Sequence, residues 1–150
     1  MSQQQIDDFI EMMGLITQTD GGPRIAGRIF GLLLIEGGPM TLQAMADRLK
    51  ISKASASTNA RLLADRSVVR LTSRPGERQD LYEIEPNPYQ NMIEGLSAGY
   101  RKTAKKLVDA ERAFPENMTD AKTRIRELSH FYETTVEMLD ELAKRFPEQG

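Results

Sequence analysis

Between residues 41 and 84 the apolar period is helical twice and then strand-like twice, with very short breaks between the segments. Leu42, Met45, Ala46 and Leu49 recur at helical spacing behind Thr41, a residue type suited to capping a helix N-terminus. Lys50-Ile51 allows only a tight turn, and Ser52 then caps a second helix expected to run to about Arg66, with Ala56, Ala60 and Leu63 facing inward. SVVRLTS at 67–73 (Val69, Leu71 and Ser73 against Arg70 and Thr72) and QDLYEI at 79–84 alternate, and RPGER at 74–78 between them has Pro75-Gly76 at its centre. Two helices joined by a tight turn and followed at once by a hairpin leave few folds open. The pattern predicts a winged helix-turn-helix, mainly α with a small β-hairpin wing.

The flanks are helical. Residues 3–18 carry Ile6, Phe9, Ile10, Met13 and Ile16 at spacings of three and four, and DGGP at 20–23 breaks that helix. A helix over 23–36 follows, in which Gly27 and Gly31 share a face. Glycine weakens a helix, so the pair predicts close approach of another backbone. Beyond PNP at 86–88, two long helices are expected at about 88–113 and 118–146, divided at Phe114-Pro115. In the last of them Ile125, Leu128, Tyr132, Thr135, Leu139, Leu142 and Phe146 form a heptad seam. Phe131, Val136 and Met138 widen the stripe beyond what one partner needs, so a second subunit is expected against it.

Charge narrows the function. The chain has a net charge of −2, yet residues 48–78 hold eight basic groups against two acids. A basic island in an acidic frame suits a protein that meets phosphates with one face; a chance surface cluster is the alternative. There is no cysteine, which excludes disulfides, thiol redox sensing and thiolate metal sites. The longest apolar patch, IFGLLLI at 29–35, is too short to span a membrane, and MSQQQIDDFIEMMG carries acids where a secretory signal needs a basic start. A cytoplasmic protein is expected.

The helix after Ser52 is crowded with Ser55, Ser57, Thr58 and Asn59, which are indifferent helix formers. Short polar side chains let a backbone approach a duplex closely and offer donors and acceptors to base edges and phosphates. The predicted DNA-binding residues are therefore Ser52, Lys53, Ser55, Ser57, Thr58, Asn59 and Arg61, with Arg74 and Arg78 in the wing. Arg61 has a second reading, as a partner of Asp65 one turn on. The wing arginines could also be simply solvated.

These motifs resemble a known family. PRIAGRIFGLLL at 23–34, LKISKASASTNARLL at 49–63 and GERQDLY at 76–82 are similar to the winged-helix domain of MarR-type transcriptional regulators, most closely the GbsR-like branch. There the recognition helix commonly reads S-K-x-x-x-S-x-N-x-R-x-L, matched by Ser52, Lys53, Ser57, Asn59, Arg61 and Leu63. A looser likeness continues through RIRELSHFYE at 124–133. The resemblance implies a homodimeric repressor, one recognition helix per major groove and the wing beside the minor groove. It divides the chain into an N-terminal dimerisation helix (1–22), a DNA-binding domain (23–86) and a C-terminal dimerisation region (87–150). The implied dimer interface comprises Ile6, Phe9, Ile10 and Met13 with Ile125, Leu128, Tyr132, Leu139, Leu142 and Phe146. The family position of Asn59 lies near the core, so a bond to backbone is its second reading. Wings of this family often carry acid-x-arginine; here Glu77 directly precedes Arg78, a departure from that pairing.

Some members of the family release DNA on binding a small molecule, choline among the effectors of the GbsR-like branch. A quaternary ammonium needs an aromatic cage, and Tyr82, Tyr89, Tyr100, Phe114, Phe131 and Tyr132 are the aromatics available for one. His130 is the single histidine, so no metal site is expected, nor any cofactor. No phosphate loop, HExxH or nucleophile elbow points to an enzyme. The competing hypothesis is a protein-interaction module, which would place an apolar anchor on the outer face of 52–66; Leu62 is the one large apolar residue placed to serve.

Overall fold

The computed structural model describes residues 2–146. In chain order the elements are α1 (Gln3–Thr19), α2 (Arg24–Glu36), β1 (Met40–Thr41), α3 (Leu42–Leu49), α4 (Lys53–Asp65), β2 (Val69–Thr72), β3 (Leu81–Ile84), α5 (Pro88–Ala113) and α6 (Thr119–Ala143). They fall into two units, one up to Pro88 and one from Tyr89 on.

Helix α2 is the hub of the first unit, packed against by α1, α3, α4 and β3. Ile29, Leu32 and Leu33 are buried on it and join Ile10, Met45, Leu49, Ala60, Leu63, Val69 and Tyr82 in one core. The predicted close approach at Gly27 and Gly31 is present: α1 lies so near that a Cβ at Gly27 would overlap Thr17 Oγ1 and the Met13 carbonyl oxygen. A Cβ at Gly31 would come within 3.1 Å of the Met13 side chain. Charged pairs reinforce this seam. Asp7 pairs with Arg48 at 2.6 Å, and Glu11 takes Arg24 at 3.0 Å and Arg28 at 2.8 Å.

The helix-turn-helix is set by its caps. Thr41 Oγ1 accepts from the Ala44 N–H and Ser52 Oγ from the Ser55 N–H, each at 3.0 Å. Lys50 (φ 58°) and Ser67 (φ 61°) bracket α4, and they alone among the described non-glycine residues have positive φ. Each ends a helix in the left-handed region: Ile51 N–H reaches back to Ala46 O, and Val68 N–H to Leu63 O. The second of these turns the chain from α4 straight into β2.

The wing has one strand more than the hairpin expected. The antiparallel order is β1-β3-β2, with Met40 opposite Tyr82 and Leu71 opposite Tyr82 on the other side. Two residues are too few to carry an alternation, which is why β1 left no sequence signal. Strand β3 is central, and Leu81 and Tyr82 are both buried despite being neighbours. Val69 points into the core, whereas Leu71, expected on the same side, is 55% exposed.

In the second unit α5 and α6 form an antiparallel hairpin, read from the pairs Ser97–Asp140, Arg101–Asp140 and Glu111–Arg126 along it. The Tyr100 and Tyr132 rings meet edge-on, centroids 4.9 Å apart. Ala104, Ser129, Val136 and Ala143 are buried in this unit. The heptad stripe divides accordingly: Val136 is buried on one flank, while Leu128, Phe131, Met138 and Leu142 stay exposed on the other. The helix stops at Ala143, short of the expected end, so Phe146 lies in the turn beyond it, exposed. The rest of the expected 118–146 helix is present apart from its first residue, Met118, which is the N-cap.

Gly27→Ala is expected to destabilise the protein by about 1–3 kcal/mol, because α1 must move off α2 to admit the methyl group. An unchanged denaturant midpoint would contradict the close seam. The same seam predicts a pH dependence. The Arg48 hydrogen bond holds the Asp7 carboxyl below its ordinary value, and Arg24, then Arg28, do the same for Glu11. Groups with a depressed folded pKa stabilise fully above the ordinary carboxylate range and lose that contribution as pH falls through the depressed values. Urea midpoints of the wild type and Glu11→Gln should therefore differ at neutral pH and converge at acid pH. A gap that persists at low pH would assign the difference to packing.

Candidate nucleic-acid interface

Helix α4 has two unlike faces. Ala56, Asn59, Ala60 and Leu63 are buried, and the two alanines have no exposed surface. Opposite them Ala54, Thr58, Arg61 and Asp65 are exposed, with Ser57 at the margin. The outward surface is thus short-chained around one long cation, Arg61. At its head Ser52 is the N-cap, taking the Ser55 N–H, with Lys53 exposed beside it.

The structure does not bring all the predicted DNA residues onto that face. Thr58 and Arg61 stand on it, Ser57 and Lys53 lie along one margin, Ser52 stands at its end and Ser55 lies half-buried on the opposite flank. Asn59 is elsewhere: only 9% exposed, it donates from Nδ2 to Ser55 O at 2.9 Å, back-bonding to its own helix. Ala54 was missed by sequence reasoning, which looked for polar groups. Its position opposite Ala56, Ala60 and Leu63 on the helical wheel is the signal that finds it.

In the wing, Glu77 N–H bonds Arg74 O at 3.1 Å, and Gly76 has φ +84°. With Pro75 before it, this is the geometry of a type II turn, which needs a residue free to adopt positive φ at the third place. Glu77 accepts from the Gln79 N–H at 3.0 Å, so the acid braces the loop tip. Arg74 and Arg78 are both exposed on the loop it braces.

Counting partners separates the eight basic groups. Arg48 is held by Asp7 and Arg70 by Glu83. Lys50, Lys53, Arg61, Arg66, Arg74 and Arg78 make no salt bridge among the described residues. Arg61 in particular does not pair with Asp65. Lys50 and Arg66, not singled out from the sequence, are exposed at the two ends of α4.

A groove of about 660 Å³ runs between α4 and the wing, lined by Arg61, Leu62, Asp65, Leu71, Asp80 and Tyr82 among others. Burial pushes the Tyr82 phenol above its ordinary value, Asp80 adds to the rise and Arg61 opposes it.

The candidate interface residues of α1 divide too. Ile10 is 2% exposed, its side chain already spent in the core, whereas Ile6, Phe9 and Met13 are half-buried and Met12, Leu15 and Ile16 exposed. On α6, Ile125, Tyr132 and Leu139 are half-buried and Leu128 and Leu142 exposed. Of the candidate aromatics, Tyr100 packs on Tyr132, which meets Phe131 edge-on at 5.4 Å, and Tyr82 is buried in β3. Among the described residues no three His, Asp or Glu side chains are grouped to hold a metal, and no helix is long and apolar enough to cross a membrane.

Comparison with known proteins agrees with this architecture. No protein-family model matches the chain. It is 32% identical over 104 residues to YvaV of Bacillus subtilis (strain 168), assigned as an HTH-type transcriptional regulator, covering 69% of this chain and 59% of that protein. It is 29% identical over 100 residues to the HTH-type transcriptional repressor OpcR of the same strain, covering 67% and 54%. To the HTH-type transcriptional regulator MmpR5 of Mycobacterium tuberculosis (strain ATCC 25618 / H37Rv) it is 24% identical over 135 residues, covering 85% and 78%. The matches thus span little more than half of the first two relatives. A crystal structure of a transcriptional regulator superposes with a TM-score of 0.76 at 21% identity, over 93% of this chain and 99% of its own. The fold is that of a winged-helix transcriptional regulator, and the sequence relatives are HTH-type transcriptional regulators.

Proposed function

We propose that the protein is a sequence-specific DNA-binding transcriptional regulator of the MarR type, GbsR-like branch, acting as a homodimeric repressor. One observation carries the reading: the exposed face of α4 is short-chained, centred on an arginine with no acidic partner, and continuous with a wing bearing two more such arginines. Arg61 and Thr58 are suited to base edges, Lys53 and the α4 N-terminus to a phosphate, and Arg74 and Arg78 to the minor groove or its phosphates. A protein-docking helix would carry a large apolar anchor at the centre of that face, where Arg61 stands instead.

Homodimerisation is supported by the exposed flank of the α6 stripe, with Leu128, Phe131, Met138 and Leu142, and by the apolar residues left open on α1. Repression follows the named role of OpcR, to which the chain is similar. Release by a small-molecule effector belongs to the same reading through the family resemblance.

Arg61→Ala is expected to weaken binding to its operator by about 1–3 kcal/mol and relax preference at one base position. Asn59→Ala should instead lower stability and leave base preference alone, since its amide is bonded within the helix. Footprinting DNA from upstream of the protein's own coding region tests both variants and the dimer together. Two protected half-sites about one helical turn apart are predicted. Protection of a single half-site would contradict the dimer, and full retention of preference in Arg61→Ala would remove that residue from the interface.

A further inference from the structure

We propose that Arg28 is a positioning residue for DNA recognition: it pins the end of α3 to α1 and so fixes where α4 begins. The proposal rests on the DNA-binding reading above and adds a residue remote from the DNA face. Leu49 is the last residue of α3, and its carbonyl is one of those a helix C-terminus leaves without an intrahelical partner. The Lys50 and Ile51 N–H groups both go to Ala46 O. Leu49 O is taken instead by Arg28 Nη2 at 3.0 Å.

The guanidinium is fixed from its other edge as well. Arg28 Nε donates to Glu11 Oε1 at 2.8 Å, and the second oxygen of Glu11 receives Arg24 Nη2 at 3.0 Å. The Arg28 side chain is 19% exposed, so it is not a surface cation waiting for a phosphate. A planar fork holds donors on two edges at a fixed separation and direction, whereas a lysine brings all three of its donors on one nitrogen at the end of a flexible stem.

Gly14 is an independent sign that this place is built. A Cβ there would lie 2.8 Å from Arg28 Cγ, so glycine on α1 makes room for the arginine stem. From Leu49 O the chain runs through Lys50 and Ile51 to Ser52, the N-cap of α4. Glu11 on α1, Arg28 on α2 and the Leu49 carbonyl on α3 thus form a relay ending at the recognition helix.

Amide hydrogen exchange by NMR on the full chain, with DNA binding measured in parallel, tests this. In Arg28→Met the hydrogen-bonded amides of Lys50, Ile51, Ser55 and Ala56 should exchange about tenfold faster, while the β2–β3 ladder keeps its rates. The affinity ratio of own-upstream to scrambled DNA should fall by a similar factor, about tenfold, with an unchanged salt slope. Arg28→Lys, which keeps the charge, should not restore either. Glu11→Gln should accelerate the same four amides by a smaller factor, and it serves if Arg28→Met does not fold. Uniform acceleration across the unit, full rescue by lysine, or a salt slope lower by about one would each overturn the proposal. Absence of selective binding by the wild type would refute the DNA-binding reading, while the exchange rates would still decide whether Arg28 holds the turn.

Discussion

The fold depends on how α4 is held. Apart from Arg61 and Lys53 its outer face carries short side chains that do little for an isolated helix, so what fixes it comes chiefly from the inner face and the two ends. Ala56 and Ala60 have no exposed surface, and their size lets the helix lie close against its neighbours α2 and α3. Ser52 caps one end, a contribution of about 1 kcal/mol. Lys50 and Ser67 adopt left-handed φ on either side of it, at about 1–2 kcal/mol each for a residue with a side chain. That cost is accepted because both positions must reverse the chain at once: one sets the helix-turn-helix angle and the other launches the wing.

Charge is distributed by the same logic. Arg24, Arg28 and Arg48 are held by carboxylates of α1, and Arg70 by its cross-strand neighbour Glu83. The other cations of the first unit, Lys50, Lys53, Arg61, Arg66, Arg74 and Arg78, lie in or beside α4 and in the wing loop. A net count over 48–78 mixes these two populations; only the geometry separates structural arginines from those open to a ligand.

Much of this was legible in the sequence because it rests on local signals. Thr41, Ser52 and the Pro75-Gly76 turn act through neighbours in the chain, so residue types were enough to place them. Gly27 and Gly31 were also readable, since glycine inside a helix requires a reason. What was hidden depended on partners distant in sequence. Strand β1 exists because β3 offers it an edge, Leu81 and Tyr82 are both buried because β3 is central, and Leu71 is exposed beside the groove for want of a covering element. Asn59 had two readings, base contact by residue type and a backbone bond by family position, and its bond to Ser55 O decides for the second. The Glu11–Arg28–Leu49 relay joins three helices and had no signature at all.

The central claim is that the surface around Arg61 meets a specific DNA duplex. Fluorescence anisotropy with a labelled duplex from upstream of the protein's own coding region, and a scrambled duplex of equal composition, tests it most directly at two salt concentrations. The account predicts tighter binding to the native sequence, with affinity for both duplexes falling steeply as salt rises. Failure to bind either duplex at low salt would contradict it.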